Sequence, residues 1–399
     1  MIERPFKQGA DFEALRRVIL RETTAGPVPI IELGADASVM AEVAGMEIPA
    51  DQGGDFVSNY IRHNAMAFDL GKLAPAQLSD FRSLVPELLA EEVEASLKLI
   101  DVSLAFHAVA GYDYVTVYPI VPMLRTRTLQ AENPQQGRVR VWQEEHRGLI
   151  TDRREFEAYP WPSTDQINLL PIDYVAAKMP AGMKVMVSYL GIFDDLKLLM
   201  GFEPMAIKSI EEPELLGDIL ERLTVLAEAA VDQCAAHPAV GAVFYGEDMG
   251  FKTGTMLNPR FMREWVIPRH QRIAAACHRH GKPFIFHSCG RIEALMEDLI
   301  EVVKIDAKHS FQDNIEPIEE AYRKYHDRIA LLGGVDVDLL ARGTPGQVRG
   351  RTRQILEACG PGGGIAIGSG NSVTNYCRIE NYYAMLDETR AWNEEHGWR

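Results

Sequence analysis

Eight short runs of apolar and β-branched residues recur along the 399-residue chain, and segments with the spacing of amphipathic helices lie between them. The runs, in chain order, are VPIIELGAD (28–36), YDYVTVYP (112–119), MKVMVSYLG (183–191), AVGAVFYGED (239–248), KPFIFHSCG (282–290), VVKIDAKHS (302–310), RIALLGGVD (328–336) and GGIAIGSGNS (363–372). Strand and helix alternating eight times predict a single TIM (β/α)8 barrel domain over residues 1–399, an α/β fold with its site at the carboxyl ends of the strands. A doubly wound open sheet is the alternative that the same alternation permits.

Two connections are longer than a bare strand-to-helix loop. Residues 37–111 have a mostly helical pattern and predict an N-terminal helical extension of the barrel's outer layer. Residues 120–182 form an insertion after strand 2, in which RVRVWQ, the polar turn EEHRG and LIT predict a hairpin. Prolines stiffen the following YPWPS loop, where Trp161 offers an apolar anchor. The insertion either roofs the site, so that residues 139–162 order or shift when ligand binds, or packs on the outside.

Composition excludes several classes of protein. A formal charge of −16 without a basic run argues against a nucleic-acid partner. The chain has no apolar run of membrane-spanning length, and its first residues mix acids and bases, so we expect a cytoplasmic protein that does not bind membranes. Five scattered cysteines without a CxxC pair predict free thiols. The sequence is compatible with a homo-oligomer and does not determine the oligomeric state.

Polar residues stand at the carboxyl ends of the predicted strands, where a barrel carries its chemistry. One such residue alone more often caps a strand, but together they predict a site. To substrate binding we assign Glu32, Tyr118, Tyr189, Tyr245 and Asn371. To catalysis we assign Asp248, His309 and Asp336.

The stretch FIFHSCG (284–290) predicts a metal site. His287 and Cys289 are two apart on a strand and so project from one face, and imidazole and thiolate are ligands that zinc prefers. The preceding strand places a carboxylate beside them. Strict alternation with bulky inward residues favours Glu247 as the ligand and leaves Asp248 to bond His287 or a substrate. Cys377 is the further ligand that we assign, with Asn371 and His309 as alternatives. The plainer interpretation is that Cys289 is a buried hydrophobe and His287 an acid, base or hydrogen-bonding residue.

Four segments together resemble the uroporphyrinogen decarboxylase superfamily, in the branch that includes cobalamin-dependent methyltransferases. They are VFYGEDMGFKTGTMLNPRFMREWVIPRHQRI (243–273), GKPFIFHSCGRI (281–292), IALLGGVDVDLLARGTPGQV (329–348) and GPGGGIAIGSGNSV (360–373). The resemblance implies a TIM barrel. The decarboxylases carry an arginine-rich segment near the N-terminus that grips substrate carboxylates, and the first predicted strand, PVPIIELGAD, has no such arginines. The methyltransferase branch is therefore favoured.

That branch holds a zinc with an HxC pair and, usually, a second cysteine near the last strand. His287 and Cys289 match the pair, whereas the eighth run ends GSGNSV and Cys377 follows several residues later. The resemblance implies a zinc-dependent methyltransferase that moves a methyl group between a small methylated substrate, or a folate-type carrier, and the cobalt of a corrinoid. The chain has no recognisable cobalamin-binding domain, so a separate corrinoid protein is the implied partner. The alternatives are decarboxylation of a porphyrinogen-like acid and a non-catalytic corrinoid- or tetrapyrrole-binding protein.

Overall fold

The computed structural model describes residues 9–48, 87–123, 125, 128–133, 138–143 and 147–398. Its strands, in chain order, are β1 (Tyr114–Val117), β2 (Thr128–Asn133), β3 (Arg138–Gln143), β4 (Lys184–Leu190), β5 (Val240–Gly246), β6 (Gly250–Phe251), β7 (Gly254–Thr255), β8 (Phe284–His287), β9 (Ala307–His309), β10 (Ala330–Val335) and β11 (Ile365–Ser369). Seven of them form one curled parallel sheet in the order β1, β4, β5, β8, β9, β10, β11. The predicted α/β class is confirmed, and seven of the eight predicted runs form these strands.

The first predicted run, residues 28–36, lies beside β11 without forming a strand of its own. Ile30 makes an isolated parallel bridge to Ile367, and the backbone N–H of Ile367 donates to the carbonyl of Pro29 at 2.9 Å. Proline has no N–H to give to a ladder, so Pro27 and Pro29 limit how far pairing can extend here. The run therefore stands at the edge of the sheet where a barrel would close.

Helices cover the sheet. In chain order they are α1 (Phe12–Ile19), α2 (Ala37–Ala44), α3 (Glu87–Ala110), α4 (Arg153–Ala158), α5 (Leu170–Ala176), α6 (Ile192–Met200), α7 (Phe202–Glu211), α8 (Pro213–Ala236), α9 (Pro259–Phe261), α10 (Ile267–His278), α11 (Met296–Asp298), α12 (Ile318–Tyr325), α13 (Val337–Arg342), α14 (Pro345–Cys359) and α15 (Ile379–Glu395). Local chemistry explains the start of α14: Thr344 and Gln347 form a capping box around Pro345. None of the described helices is long and apolar enough to cross a membrane. Within the predicted helical extension, residues 49–86 lie outside the described part of the chain.

The two faces of the sheet have different partners. On β5 the Phe244 ring lies against the rings of His287 and His309, with centroids 6.3 and 5.3 Å away. The neighbouring Tyr245 points to the opposite face, where its hydroxyl accepts a hydrogen bond from the backbone N–H of Ile192 at the start of α6. Side chains on β5 therefore alternate between the Phe244 face and the helix-covered face.

The insertion contains a hairpin, but its strands differ from the predicted ones. RVRVWQ, which is β3, pairs antiparallel with β2, whereas Leu149 and Ile150 of the predicted partner LIT donate their N–H groups to the carbonyl of Leu199 in α6. Residues 144–146 of the predicted turn EEHRG lie outside the described residues. The turn signal overlooked in the sequence is NPQQG (133–137), because Pro and Gly favour turns; residues 134–137 lie outside the described residues.

A buried ion pair joins the start of the insertion to the rest of the fold, and an aromatic contact orders the insertion internally after the hairpin. Before the hairpin, Arg125 forms an ion pair with Asp195 of α6, Nε to Oδ1 at 2.6 Å, with both side chains less than 5% exposed. After the hairpin, the Trp161 ring packs on Tyr159 at 4.6 Å between centroids, as an apolar anchor should. That residues 139–162 respond to a ligand stays a prediction.

Candidate functional site

Three potential ligand atoms meet beyond the carboxyl ends of β5 and β8. They come from Asp248, His287 and Cys289, and all lie within 4.8 Å of one another. Nε2 of His287 is 3.5 Å from Sγ of Cys289 and 3.5 Å from Oδ1 of Asp248. The His287 side chain is 5% exposed, while that of Asp248 is 39% exposed. We call these three residues the ligand cluster. It is buried on the histidine side and open on the carboxylate side.

Strand register and a close turn build the cluster. Gly246 of β5 stands opposite His287 of β8, so the residues that follow on the two strands are neighbours. The backbone N–H of Cys289 donates to Oδ1 of Asp248 at 2.8 Å. Gly290 has φ +75°, and a Cβ there would lie 2.2 Å from the carbonyl oxygen of Gly250. Only glycine fits this position, so the final residue of FIFHSCG allows the loops to close around the cluster.

The structure does not bring Glu247 to the ligand cluster, which corrects the predicted register. Its carboxylate accepts hydrogen bonds from the backbone N–H groups of Phe193 and Asp194, at 3.1 and 2.8 Å, and from Nε2 of His270 at 2.8 Å. The side chains of Glu247 and His270 are fully buried. Glu247 thus caps the amino end of α6, where a carboxylate is favoured by the free N–H groups and the helix dipole.

Helix α6 in turn fixes the backbone of Asp248. Oδ2 of Asp194 accepts from the Asp248 N–H at 2.9 Å, and Nζ of Lys197 donates to the Asp248 carbonyl at 2.8 Å. Asp194 and Lys197 also form an ion pair with each other. These two residues were missed in the sequence. The signal that could have found them is DDLK (194–197), a charged stretch shortly after the carboxyl end of β4.

Two predicted residues support the cluster from β9 and from the segment that follows β11. Nδ2 of Asn371, just past β11, donates to Sγ of Cys289 at 3.0 Å. Nδ1 of His309 on β9 is 2.7 Å from Nδ1 of His287, and His309 is fully buried. Burial, together with the neighbouring His287 and Lys308, holds the pKa of His309 well below its usual value, so the ring is neutral at pH 7.

Burial, together with the Asp248 carboxylate, raises the pKa of the Cys289 thiol. A cation bound to its sulfur would oppose that shift.

The structure places other predicted residues away from the ligand cluster. Tyr189 and Tyr245 stack on each other, with centroids 6.2 Å apart, on the helix-covered face, which corrects their assignment to a substrate pocket. Asp336 accepts from the N–H groups of Asp338 and Asp313, so it caps α13 and ties down a loop. Cys377 is buried, and its sulfur contacts Oγ1 of Thr374 at 3.5 Å.

Tyr118 is partly buried, with its hydroxyl near Ser188. Burial raises the pKa of Tyr118, and the interaction of its hydroxyl with Ser188 opposes that shift. The substrate role given to Tyr118 stays a prediction.

Glu32 is a buried carboxyl group bonded to β11. Ser369 donates its N–H to Oε1 at 2.8 Å and its hydroxyl to Oε2 at 2.5 Å. Burial raises the pKa of Glu32 to about 8, against the weaker effect of these bonds. Glu32 is fully buried, so a free carboxylate here would be poorly solvated and the neutral acid is favoured at pH 7.

Glu32→Gln should flatten the pH dependence of stability. Because the pKa rises from 4.5 in the unfolded chain to about 8 in the fold, the stability that the neutral acid gives is complete below pH 4.5 and is lost between pH 4.5 and 8. The loss reaches up to about 5 kcal/mol for one group at 1.36 kcal/mol per pKa unit. Urea unfolding at pH 5 and pH 8 should show a smaller difference for Glu32→Gln than for wild type. The exposed Glu394→Gln is the control, and equal slopes for all three proteins would contradict the expectation.

The chain has a parallel α/β sheet, and nitrogen, sulfur and carboxylate side chains come together beyond two adjacent strands. It therefore belongs to the class of α/β proteins that carry their site at the carboxyl edge of the sheet. Residues 163–392, more than half of the chain, match the uroporphyrinogen decarboxylase (URO-D) family, and the chain belongs to that family. The resemblance seen in the sequence is thereby confirmed.

The similar proteins include methyltransferases. The methylated-thiol–coenzyme M methyltransferase of Methanosarcina mazei is 27% identical over 164 residues, which are 40% of this chain and 41% of that protein. The match thus spans about two fifths of that relative. The solved structure of a methyltransferase from Methanosarcina mazei has a TM-score of 0.65 at 14% identity, covering 95% of this chain and 97% of that one. This likeness supports the fold.

Proposed function

We propose that this chain is a zinc-dependent methyltransferase that moves a methyl group between a small methylated substrate, or a folate-type carrier, and the cobalt of a corrinoid on a separate protein. The observation that carries the proposal is the ligand cluster in a chain of the URO-D family. The methyl donor, the corrinoid partner, the closed eight-stranded barrel and a cytoplasmic setting are parts of the same proposal.

The ligand cluster fits zinc in ligand type and size. Zinc binds imidazole nitrogen at about 2.0–2.1 Å, carboxylate oxygen at about 2.0–2.2 Å and thiolate sulfur at about 2.3 Å, so the edges of a tetrahedral site are about 3.4–3.6 Å. The two distances of 3.5 Å from Nε2 of His287 agree with those edges. Three protein ligands leave one tetrahedral position for a substrate atom, as in catalytic zinc sites.

Asp248, His287 and Cys289 are the residues that would hold the zinc. A bound zinc supplies a Lewis acid that stabilises negative charge on the substrate atom losing or receiving the methyl group. Asn371 donates to the Cys289 sulfur and thereby lowers its electron density, while Asp194 and Lys197 fix the Asp248 backbone. The 39% exposure of the Asp248 side chain places the open direction of the cluster on that side.

The ligand types bear on the substrate class. With one sulfur, one nitrogen and one oxygen, the cluster carries less thiolate charge than a site with two cysteines. A more electrophilic zinc suits an oxygen or nitrogen leaving group, such as that of a methyl ether or a methylated amine acid. We therefore place such a compound ahead of a methylated thiol, the substrate class in the name of the Methanosarcina mazei relative.

The test combines metal analysis with methyl transfer to free cob(I)alamin. Purified chain should hold about one zinc per protein, and it should convert cob(I)alamin to methylcobalamin, followed by its visible spectrum, with a methyl ether or methylated amine acid as donor. Loss of zinc and of transfer in His287→Ala would support the proposal. A folded chain without bound zinc, or carbon dioxide release from a porphyrinogen-like acid without methyl transfer, would overturn it.

A further inference from the structure

Behind the ligand cluster, a row of buried hydrogen bonds runs from β8 through β9 to β11, passing β10. The carbonyl oxygen of Ser369 on β11 lies 3.2 Å from Nε2 of His309 on β9, and Nδ1 of His309 lies 2.7 Å from Nδ1 of His287 on β8. Ser369 and His309 are fully buried, and His287 is 4% exposed. We call these three residues the histidine relay. Its far end is the nitrogen of His287 that faces Asp248 and Cys289.

The chemistry of the relay determines which nitrogens carry protons. A carbonyl oxygen only accepts, so Nε2 of His309 must be the protonated nitrogen. The other nitrogen of a neutral His309 then has a lone pair, and it accepts from Nδ1–H of His287. In neutral His287 this leaves the lone pair on Nε2. That is the atom directed at the ligand cluster.

Packing holds the His309 ring in this position. The rings of His287 and His309 meet edge to edge, with centroids 5.0 Å apart and planes 29° apart, and Phe244 packs against His309 at a steep angle. A Cβ on Gly333 would lie 2.9 Å from Nε2 of His309 and 2.6 Å from the Ser369 carbonyl oxygen, so glycine leaves the room that this bond needs. Glu32 accepts from the N–H of Ser369 and so holds the residue at the end of the relay.

We propose that His309 is a positioning residue that holds His287 in the tautomer with a bare Nε2 and thereby prepares the ligand cluster for a metal ion. Without the acceptor at His309, the proton of His287 is free to occupy Nε2, where Oδ1 of Asp248 at 3.5 Å attracts it. Binding a metal then first requires moving that proton. The effect on metal affinity rests on the proposed zinc site, whereas the tautomer does not.

Two variants of His309 distinguish the effect of its hydrogen-bond acceptor from the effect of the size of its ring. In His309→Asn the amide oxygen stands near the place of Nδ1 and accepts from His287, while His309→Leu removes the acceptor. Titration with zinc against a competing chelator should give a Kd about 10–100-fold weaker for His309→Leu and within about threefold of wild type for His309→Asn. Stoichiometry at saturating zinc should remain one per chain. The buried His107→Leu, remote from the cluster and bonded to the Ser103 carbonyl, is the control and should bind zinc as wild type does.

The tautomer of His287 can be measured in metal-free protein, so the role of His309 can be tested independently of the proposed zinc site. In apo protein labelled with 15N-histidine, the ring signals lost in His287→Ala identify His287, and their shifts should show a proton on Nδ1 in wild type and His309→Asn. In His309→Leu they should move toward the Nε2–H form. A wild-type His287 protonated on Nε2, or equal zinc affinities for His309→Leu and wild type, overturns the role of His309. Wild-type protein that fails to bind zinc while showing Nδ1–H leaves the relay standing and removes the proposed zinc enzyme.

Discussion

Cys289→Ser is expected to reduce bound zinc from about one ion per chain to less than about a tenth and to lower methyl transfer by about 10³-fold or more. The substitution replaces a thiolate ligand by a hydroxyl that zinc binds weakly. Loss of a Lewis acid that supplies several kcal/mol of charge stabilisation corresponds to about three decades in rate. Elemental analysis and the cobalamin assay measure the two effects on the same preparation.

The matched control for this variant is Cys377→Ser. Both cysteines follow the carboxyl ends of strands, but the Cys377 sulfur contacts Thr374 and lies outside the ligand cluster. The control should keep both zinc and activity. If Cys377→Ser loses zinc while Cys289→Ser keeps it, the ligand cluster is assigned to the wrong cysteine.

Asp248→Asn is expected to lose zinc affinity and keep stability, whereas Glu247→Gln is expected to lose stability and keep zinc affinity. Asp248→Asn removes the charge of a ligand oxygen, so zinc affinity should fall by about 100-fold while the fold persists. Glu247→Gln should keep zinc within about threefold but lower the free energy of unfolding by about 2–4 kcal/mol. The reason is that the fully buried Glu247 side chain accepts three hydrogen bonds, and the amide nitrogen of Gln must face one of the donors.

Zinc titration and urea unfolding of the two variants, side by side, provide the measurement. Urea unfolding should be run without zinc, because bound metal adds its own stabilisation. The result that would contradict this assignment is zinc loss in Glu247→Gln with zinc retained in Asp248→Asn, which is the outcome that the predicted register of β5 implies.

The β5 register shows why alternation alone could not select the ligand. Strand alternation predicts that the adjacent Glu247 and Asp248, which directly follow β5, face opposite sides. Both faces of a parallel sheet are buried, so Phe244 on one face and Tyr245 on the other are equally buried. The choice depends on α6, whose free N–H groups attract the Glu247 carboxylate, and on His270 of α10 beside it. These partners lie 53 and 23 residues from Glu247 along the chain.

The sequence by itself determined the α/β class, most of the strands and the pair His287 and Cys289, because hydrophobic periodicity and strand alternation are local properties. It also placed polar residues where parallel strands end. Only the tertiary structure decided that His309 stands behind His287, that Asp248 faces the cluster and that Cys377 does not reach it. Strand register, helix ends and loop paths depend on contacts between residues far apart in the chain, and no local pattern encodes those contacts.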